Sequence, residues 1–454
     1  MSTKPSILKG TRDFLPATMV KRNYIFSTIK TVFEKYGFSP IETPSFEKTE
    51  TLMGKYGEEG DRLIFRLLNQ GDSLKKADTT AFDEGKLSRF ANSISDKALR
   101  YDLTVPFARF VVQNQNELSF PFKRFQIQPV WRGDRPARGR YREFHQCDAD
   151  VVGSDSLLYE IELVQIFDEV LSKLGLPDFS IKINNRKILS GIAEVCGESE
   201  KLIPITVAID KLDKIGKEGV IKELRQREVS EAAITKIDPL FDLSGDNDAN
   251  LEMLSTYLAD SETGMKGIEE LKYVLDNVKA LGLNKAKIEF EVTLARGLNY
   301  YTGAIFEVTA NNVNMGSICG GGRYDDLTAL FGLKGMSGVG ISFGADRIYD
   351  VMTELDLFPK SVLTTTEYLF INFGEEEQSH CMRLAKNIRD KDLSCEVYPS
   401  AKGMKKQMKY ANDRGIPFVI ILGSQEIENN TLTIKNMETG DQETITTEVF
   451  LNRI

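Results

Sequence analysis

The first half of the chain alternates between stretches with helical apolar spacing and short, turn-rich breaks. Between positions 23 and 36 apolar residues recur every three or four positions, and Gly37 and Pro40 then precede an extended segment around Ile41. This order predicts a helix, a turn and a strand. A second stripe at helical spacing ends at Gly175 and predicts a buried helix face. Its members are Ile161, Val164, Phe167, Leu171 and Leu174.

The middle of the chain, from about 191 to 282, becomes rich in Lys, Glu, Asp and Leu. Its apolar residues keep helical spacing, strand-forming residues are few, and a polar break covers 244–250. We therefore expect a helical insertion. Strand periodicity returns directly afterwards, where Ile288, Phe290 and Val292 alternate with charged residues. This alternation predicts a strand with one buried face in an antiparallel sheet.

A further change near 357–366, with Pro359 and a run of threonines, predicts a linker ahead of a separate unit. Beyond it, apolar segments such as Tyr368–Phe373 and Phe418–Leu422 alternate with segments of helical spacing. Continuous apolar strands separated by helices are typical of α/β domains. The pattern therefore predicts a small, mostly parallel α/β domain at the C-terminal end.

Composition narrows the class of protein. The chain has 454 residues, of which 41% are hydrophobic, and a formal net charge of -9, so we expect two or three domains with large cores. The N-terminal residues lack a signal-peptide core and no stretch approaches the roughly 20 apolar residues of a membrane helix. We therefore expect a soluble, cytoplasmic protein with no membrane partner. Five scattered cysteines favour reduced thiols, and with only two histidines no protein-held or structural metal is expected.

The most concentrated chemistry lies in the segment 131–150, where five arginines fall within eleven residues of an acidic chain. A guanidinium presents a rigid fork of donors that fits phosphate oxygens, and clustered arginines need an anion to offset their repulsion. The segment therefore indicates a phosphate site, and the alternative is a solvated surface hairpin. The arginines are Arg132, Arg135, Arg138, Arg140 and Arg142.

Two segments carry candidate polar side chains. In Leu99–Phe110, Asp102 and Thr104 share a face if the segment is extended, where they would jointly hold an ammonium group. A strand or turn role is the simpler alternative for that segment. Segment 295–303 sets Arg296 before a glycine and two tyrosines, directly after a predicted strand.

Two more segments are rich in glycine. Three consecutive glycines in 319–327 permit close approach of the backbone to a ligand or to another strand. Small residues alternate with apolar ones in 338–352, before Asp346 and Arg347 open a helix. A tight turn and a glycine-softened strand are the respective alternatives.

Taken together and in order, these segments resemble the histidyl-tRNA synthetases, a class II aminoacyl-tRNA synthetase family. The resemblance spans nearly the whole chain, apart from the helical insertion and 71–96. Its motifs are Lys9–Pro16 (KGTRDFLP) as the family opening, Ile41–Glu47 (IETPSFE) with Pro44 as motif 1, the arginine-rich segment as motif 2, Gly344–Ile348 (GADRI) as motif 3, and the histidine-specific signatures ARGLNYYTG and GGGRYD.

The resemblance implies an α+β catalytic core built on a class II six-stranded antiparallel sheet, assigned to 1–190 and 283–356. A helical insertion at 191–282 would split this core, and a linker at 357–366 would lead to an α/β anticodon-binding domain at 367–454. It also implies a homodimer, from motif 1, and a histidine tRNA as partner.

The implied reaction has two steps. L-Histidine and ATP give histidyl-adenylate and pyrophosphate, and the histidyl group then passes to the 3'-terminal adenosine of the tRNA. Because the substrate carboxylate is itself the nucleophile, catalysis should rest on alignment and on stabilising charge at the phosphate. Mg²⁺ would bridge the ATP phosphates.

The resemblance also assigns residues. Arg132 would contact the α-phosphate and Arg347 the γ-phosphate, with Arg140 as a further nucleotide contact. Arg296 would lie between the substrate carboxylate and the α-phosphate as the decisive catalytic residue. The histidine-binding residues would be Asp102, Thr104 and Gln146 for the α-ammonium, Asp150 and Tyr301 for the imidazole nitrogens, Tyr324 for the pocket wall, and Arg296. The weaker tRNA-binding set is Lys402, Lys405, Lys406, Lys409 and Arg414 on a basic helix, for which a solvated face is the alternative.

The sequence departs from the family pattern at three of these positions. Asn299 stands where the family usually has Asp, beside Arg296, and a lowered activity is expected if this matters. Asp102 and Asp150 stand where many members have Glu. The alternative function is a non-catalytic, histidine-sensing regulatory paralogue on the same fold. Such paralogues generally lack the anticodon-binding domain and lose signature residues that this chain keeps.

Overall fold

A computed structural model describes residues 4–243, 245–295, 300–359 and 365–454. Arg296 and Asn299 therefore lie outside the described residues. By internal contacts the chain falls into two units, one made of residues up to 13 together with 25–357, and the other of 14–24 together with 358–454. The domain boundaries expected from the sequence remain predictions.

The α-helices of the described residues belong to both units. They are Pro16–Lys35 (α1), Thr49–Leu52 (α2), Gly57–Arg62 (α3), Thr79–Asp83 (α4), Leu87–Ile94 (α5), Thr104–Asn114 (α6), Leu158–Lys173 (α7), Arg186–Val195 (α8), Leu202–Ile209 (α9), Leu212–Gln226 (α10), Glu231–Ile237 (α11), Asn247–Tyr257 (α12), Glu262–Leu281 (α13), Ala345–Glu354 (α14), Glu375–Arg389 (α15), Met404–Asp413 (α16), Ser424–Glu428 (α17) and Thr447–Arg453 (α18).

The strands form three sheets. They are Ser39–Pro40 (β1), Phe46–Lys48 (β2), Arg66–Leu67 (β3), Lys97–Leu99 (β4), Phe122–Trp131 (β5), Glu143–Val152 (β6), Phe179–Asn185 (β7), Lys287–Phe290 (β8), Ala304–Ala310 (β9), Cys319–Tyr324 (β10), Gly338–Gly344 (β11), Tyr368–Phe370 (β12), Cys395–Val397 (β13), Phe418–Ile421 (β14), Thr431–Asn436 (β15) and Gln442–Thr446 (β16).

The large sheet of the first unit has the order β1-β5-β6-β11-β10-β9-β7-β8. Its six central strands are antiparallel throughout, as the class II resemblance implies. A strand parallel to its neighbour extends each edge, β1 beside β5 and β8 beside β7. The strand expected at 288–292 is β8, which joins this largely antiparallel sheet at one edge. Its own neighbour β7 runs parallel to it, because the helical insertion carries the chain back before β8 pairs, as a crossover to a parallel strand requires.

One face of this sheet is apolar and holds the core. Phe33 of α1 and Phe167 of α7 contact Phe343 of β11, with ring centroids 5.8 Å and 5.3 Å away. All three side chains are fully buried. The predicted stripe on α7 therefore packs against the sheet, and the polar residues that alternate with the apolar ones on β6 and β11 are left on the opposite face.

The segment from α8 to α13 contains helices and no strand among its described residues, which agrees with the helical insertion expected from composition. Side-chain caps start several of its helices. Ser230, Asp246 and Ser261 each accept a hydrogen bond from the backbone N–H three residues ahead, at the start of α11, α12 and α13. Helix α13 lies close to α8, because Gly191 and Gly264 face each other and a Cβ on Gly191 would contact the Gly264 backbone.

The second unit carries a five-stranded sheet in the order β13-β12-β14-β15-β16. The alternation of strands and helices predicted from Tyr368 onward is confirmed through β14, and β12, β13 and β14 are parallel. The prediction of a mostly parallel sheet is wrong beyond that point. Strands β15 and β16 continue it as an antiparallel hairpin, and the polar residues of 431–446 gave no continuous apolar signal.

Candidate functional site

The candidate site lies on the polar face of the large sheet, where three strands align their polar residues. Asp150 of β6 is paired in register with Arg124 of β5 and with Gly340 of β11. Two residues earlier, Asp148 is paired with Gln126 on one side and Ser342 on the other. Because residues two apart on a strand share a face, Gln146, Asp148 and Asp150 form one row.

Asp150 is held by two buried partners. Its Oδ2 lies 2.7 Å from Nη2 of Arg124, which is fully buried, and its Oδ1 accepts a 2.6 Å hydrogen bond from the Tyr324 hydroxyl. Burial raises the pKa of Asp150, and the positive charge of Arg124 and the bond from Tyr324 act against this rise. The position of this carboxylate is therefore fixed by charge and by a hydrogen bond before any ligand arrives.

Asp102 lies just before α6 and is 2% exposed. Its Oδ1 accepts hydrogen bonds from the Tyr56 hydroxyl at 2.8 Å and from the Val105 N–H at 3.1 Å. Its Oδ2 is buried and accepts none from the described residues. Burial raises the pKa of Asp102, and the charge of Arg132 lowers it. Asp102 therefore offers one unused acceptor for a cationic or donor ligand group.

The expectation that Asp102 and Thr104 share one face of an extended segment is wrong. Thr104 is the first residue of α6, so the segment is a strand end followed by a helix. Thr104 nevertheless lines a small cavity on the sheet face. Tyr301, Tyr324 and Asp150 line the same cavity. Four of the sequence-predicted histidine-binding residues are thus brought together around one space.

The floor of this cavity requires glycine. A Cβ on Gly340 would overlap the Asp150 carboxylate, and one on Gly321 would overlap the Gly340 carbonyl. At Gly322 a Cβ would lie 2.6 Å from the carbonyl oxygen of Ala304 and 2.8 Å from the Tyr301 ring. Real Cβ atoms essentially never approach so closely. The glycine run therefore serves strand-to-strand and strand-to-ligand approach rather than a turn.

Gln146 lies at the end of the same polar row. Its Nε2 donates a 3.0 Å hydrogen bond to the Ser342 hydroxyl, while its Oε1 is buried and accepts no hydrogen bond from the described residues. Like Asp102, it offers an unused acceptor. A ligand with several N–H donors would satisfy both.

The arginine-rich segment is the connection between β5 and β6 and the start of β6. The Arg132 Nε donates to the Tyr101 carbonyl at 3.1 Å, and its guanidinium lies 4.3 Å from the Tyr101 ring centroid. Arg347, on the first turn of α14, donates from Nε to the Gly139 carbonyl at 2.8 Å and also bonds the Ser317 carbonyl. The structure thus joins motif 2 to motif 3, whereas Arg140 is exposed in the loop.

The other arginines of that segment are held at its rim. Arg138 is exposed and pairs with Glu354. Arg142 donates to the Lys9 carbonyl at 3.2 Å, which ties the family opening to the loop. Arg135 is exposed. The solvated-hairpin alternative thus describes this rim correctly but not Arg132.

Sequence reasoning missed Arg124, Asp148, Tyr56 and Ser342. Asp148 carried a usable signal, because it stands two residues before Asp150 on a strand and must share its face. Arg124 carried none, since its pairing depends on the register of β5 against β6.

The basic helix α16 and its flanks form a separate exposed surface. Lys409 pairs with Asp413 at 2.7 Å, and Arg414 bonds the Tyr410 hydroxyl at 2.6 Å. Among the described residues Lys402, Lys405 and Lys406 form no ion pair, and all three are exposed. These three lysines, called here the α16 lysines, are the part of the predicted tRNA-binding set that lacks an acidic neighbour.

No group of three or more His, Cys, Asp or Glu side chains in the described parts of the chain is arranged to hold a metal ion. A search of the same residues finds no helix that could cross a membrane.

Comparison with known proteins gives matches along nearly all of the chain. Residues 10–81 and 72–348 match the model of the histidyl-tRNA synthetase family, and 367–454 match the anticodon binding domain. The chain is 61% identical to the histidine–tRNA ligase of Christiangramia forsetii, over 97% of each chain. It is 56% identical to that of Bacteroides fragilis strain YCH46, over the full length of both.

Solved structures agree with these sequence matches. The histidyl-tRNA synthetase of a Nostoc species superposes with a TM-score of 0.85 at 30% identity, with full coverage of both chains. A protein of Bacillus halodurans described as an ATP phosphoribosyltransferase regulatory subunit/histidyl-tRNA synthetase has a TM-score of 0.71 at 21% identity, which shows a shared fold only.

Proposed function

The chain belongs to the histidyl-tRNA synthetase family, and from that premise we propose that the cavity on the polar sheet face is where L-histidine is bound and activated. The protein is an ATP-dependent aminoacyl-tRNA synthetase that forms histidyl-adenylate and pyrophosphate and then transfers the histidyl group to tRNA. The regulatory alternative is disfavoured, because full-length relatives at 51 to 61% identity are histidine–tRNA ligases.

The observation that carries the site assignment is the pair of buried, unused acceptors, Asp102 Oδ2 and Gln146 Oε1. Neither side chain lines the cavity itself, but Gln146 hydrogen-bonds Ser342, which does, and the charge of Asp102 acts on Asp148. Buried acceptors are normally satisfied, so these unused ones are suited to a ligand with donors. An α-ammonium supplies three N–H donors and a positive charge that would pair with the Asp102 carboxylate. Asp102, Gln146 and Thr104 would therefore hold the ammonium, which leaves Asp150, Tyr301 and Tyr324 around the imidazole.

Selection of histidine would follow from the same geometry. Tyr324 and Arg124 hold the Asp150 carboxylate in place, so an amino acid without a ring N–H would leave it short of a donor. Each unpaired buried group costs about 1–3 kcal/mol, which is enough to reject analogues without a separate editing site.

Activation would take place at the arginine end of the site. Arg132 lies between Tyr101 and the motif 2 loop and would contact the α-phosphate, with Arg347 at the γ-phosphate and Arg140 as a further nucleotide contact. Arg296 would bridge the substrate carboxylate and the α-phosphate. These cations would offset charge that develops at phosphorus in the transition state. Mg²⁺ would accompany ATP on its phosphate oxygens.

Transfer would use the second unit to hold the tRNA. The α16 lysines form an exposed cationic surface on an anticodon-binding domain, suited to RNA phosphates. Lys409 and Arg414 would contribute less, because each already has a partner. We further propose that the protein is a homodimer, as motif 1 in the family implies, and that it is cytoplasmic.

The direct test is ATP–pyrophosphate exchange with each of the twenty amino acids in turn. We expect exchange stimulated by histidine alone, and its collapse in Arg296→Ala. Folded protein that binds histidine but catalyses no exchange would refute the catalytic assignment, and Asn299→Asp would then be the first restoration to try.

Arg132→Lys should lower the exchange rate about tenfold, because an ammonium keeps the charge but lacks the planar fork and its stacking on Tyr101. The loss should fall in kcat, with the KM for histidine little changed, since the contact is made to the reacting phosphate. Arg135→Lys, in the same loop and exposed, is the matched control. An equal loss in both variants would remove Arg132 from the reaction.

Charge reversal at two of the α16 lysines, Lys405→Glu with Lys406→Glu, should raise the KM for tRNA about tenfold and flatten its salt dependence. Histidine-dependent exchange should stay at the wild-type rate. Lys386→Glu, an exposed residue on α15 of the same unit, is the control. Unchanged tRNA charging in the double variant would exclude this surface from tRNA binding.

A further inference from the structure

Asp148 is a buried carboxylate that lines the cavity between Gln146 and Asp150 on β6, and the proposed function gives it no role. It is 2% exposed and lines the cavity together with Asp150, Tyr301 and Tyr324. Its Oδ1 is buried and accepts no hydrogen bond from the described residues. A native interior rarely leaves a carboxylate oxygen unsatisfied, so this one needs a ligand or a functional reason.

The groups that face Asp148 do not neutralise it. From β5 comes one guanidinium, Arg124, and that charge already lies 2.7 Å from Asp150. From β11 comes only the hydroxyl of Ser342, which hydrogen-bonds Asp148. Asp102 adds a further negative charge and itself faces Arg132.

The nearby phenols cannot supply a charge. Tyr301 and Tyr324 are buried, and this burial raises the pKa of both, so they stay neutral hydroxyls. Two carboxylates, Asp148 and Asp150, thus share one arginine beside the cavity. When both are ionised, the pair carries one negative charge in excess of that arginine.

The ring of histidine has two forms that such a pocket distinguishes. Neutral imidazole offers one N–H donor and one acceptor, whereas imidazolium offers two donors and a positive charge. Ionised carboxylates only accept, so a pocket with an excess carboxylate complements imidazolium. We propose that Asp148 is a specificity-determining residue that supplies the second carboxylate and thereby selects L-histidine with its ring protonated. This inference rests on the proposed function, since it takes the cavity to be the histidine site.

Histidine binding should therefore be accompanied by the uptake or the release of a proton, depending on pH. Burial raises the pKa of Asp148 to about 7, close to the value of about 6.5 for a free imidazole. In the complex, Asp148 and the ring together hold one proton. Above pH 7 the free partners hold fewer than one between them, so binding takes a proton up. Below about pH 6.5 they hold more than one, so binding releases a proton.

Affinity should follow the same balance. Binding requires ionised Asp148 and protonated histidine, and the product of these two populations is greatest between the two pKa values. From pH 7 to pH 8 the protonated ligand becomes scarce faster than ionised Asp148 accumulates. The affinity should therefore fall about fourfold over that unit.

The test is calorimetry of L-histidine binding to the full-length wild-type protein without ATP, in pairs of buffers that differ in ionisation enthalpy. We expect uptake approaching one proton at pH 8 and a change of sign between about pH 6.5 and pH 7. In Asp148→Asn the uptake at pH 8 and the fall in affinity should both disappear. Asp178→Asn, which removes a carboxylate paired with Lys287 outside the site, should behave as wild type.

A ligand that differs from histidine only in its ring gives a second readout. A histidine analogue with a 1,2,4-triazole ring stays neutral near pH 7, so wild-type protein should bind it at least tenfold more weakly than histidine, and Asp148→Asn should narrow that ratio. Histidine binding without proton uptake at pH 8 would overturn the role of Asp148 alone. Uptake that persists in Asp148→Asn would do the same. Absence of any histidine binding would instead refute the proposed function.

Discussion

Arg124→Met is expected to lower the free energy of unfolding by about 3–5 kcal/mol, because it leaves Asp150 buried beside Asp148 with no opposing charge. Methionine preserves much of the side-chain volume that packs on the Phe107 ring, 4.2 Å from the guanidinium carbon. The loss is therefore one of charge rather than of packing. Histidine binding should weaken by two orders of magnitude or more, since Asp150 no longer has a fixed position.

The pH dependence of the free energy of unfolding distinguishes a loss of charge pairing from a loss of packing. Arg124 lowers the pKa of both carboxyls against the effect of burial, so its removal raises them further above the unfolded value of about 3.9. When the pKa of an acid is higher in the folded than in the unfolded protein, the free energy of unfolding falls as pH rises between these two pKa values. The difference between variant and wild type should thus be smaller at pH 5.5, which lies below the pKa of about 7 of Asp148, than at pH 8.

Urea unfolding at these two pH values measures the difference. Arg138→Met is the matched control, because the Arg138–Glu354 pair is exposed and should leave the unfolding midpoint unchanged. A loss of equal size at both pH values would mean that Arg124 contributes through packing, and the charge argument would fail.

Gly340→Ala is the second variant with a large expected effect. The added methyl would overlap Oδ1 and Cγ of Asp150, and this carboxylate cannot simply turn away, since Arg124 and Tyr324 hold its two oxygens. Displacing it costs the ion pair and the hydrogen bond, about 3 kcal/mol together, or roughly a hundredfold in the KM for histidine. The kcat should change less, because the phosphate-binding arginines lie elsewhere.

Gly320→Ala provides the comparison within the same cavity. Among the described residues, a Cβ there would meet only the Phe306 carbonyl, at 3.3 Å, which small shifts relieve. We expect at most a few-fold change in histidine-dependent exchange. Equal effects of the two substitutions would mean that the strand tolerates no side chain at all, and the specific clash with Asp150 would be refuted.

Features of this fold that depend on residues close together in sequence could be predicted, whereas those that depend on distant residues could not. Helical stripes such as that of α7 and the β/α alternation from Tyr368 onward are local patterns, and both appear in the structure. The parallel pairing of β8 and the hairpin of β15 with β16 were not predicted, because pairing direction depends on what lies beside a strand. Local periodicity carries no information on that neighbour.

The same limit applies to the site. Motif residues Thr104, Asp150, Tyr301 and Tyr324 were identified from the resemblance and line one cavity. The buried charge that positions Asp150 was not, since Arg124 lies in an ordinary strand and becomes significant only through its register with β6.

The pairing of β6 with β11 also has a consequence during synthesis of the chain. Strand β6 ends at Val152, but its partner starts only at Gly338, after the whole helical insertion. At about 5–20 residues per second, a ribosome needs roughly 10 to 40 s to make the intervening chain. Throughout that interval the nascent β5–β6 hairpin has an open edge that other strands could join. We therefore expect nascent chains of this length to depend on chaperones, and to acquire affinity for histidine only once β11 has emerged.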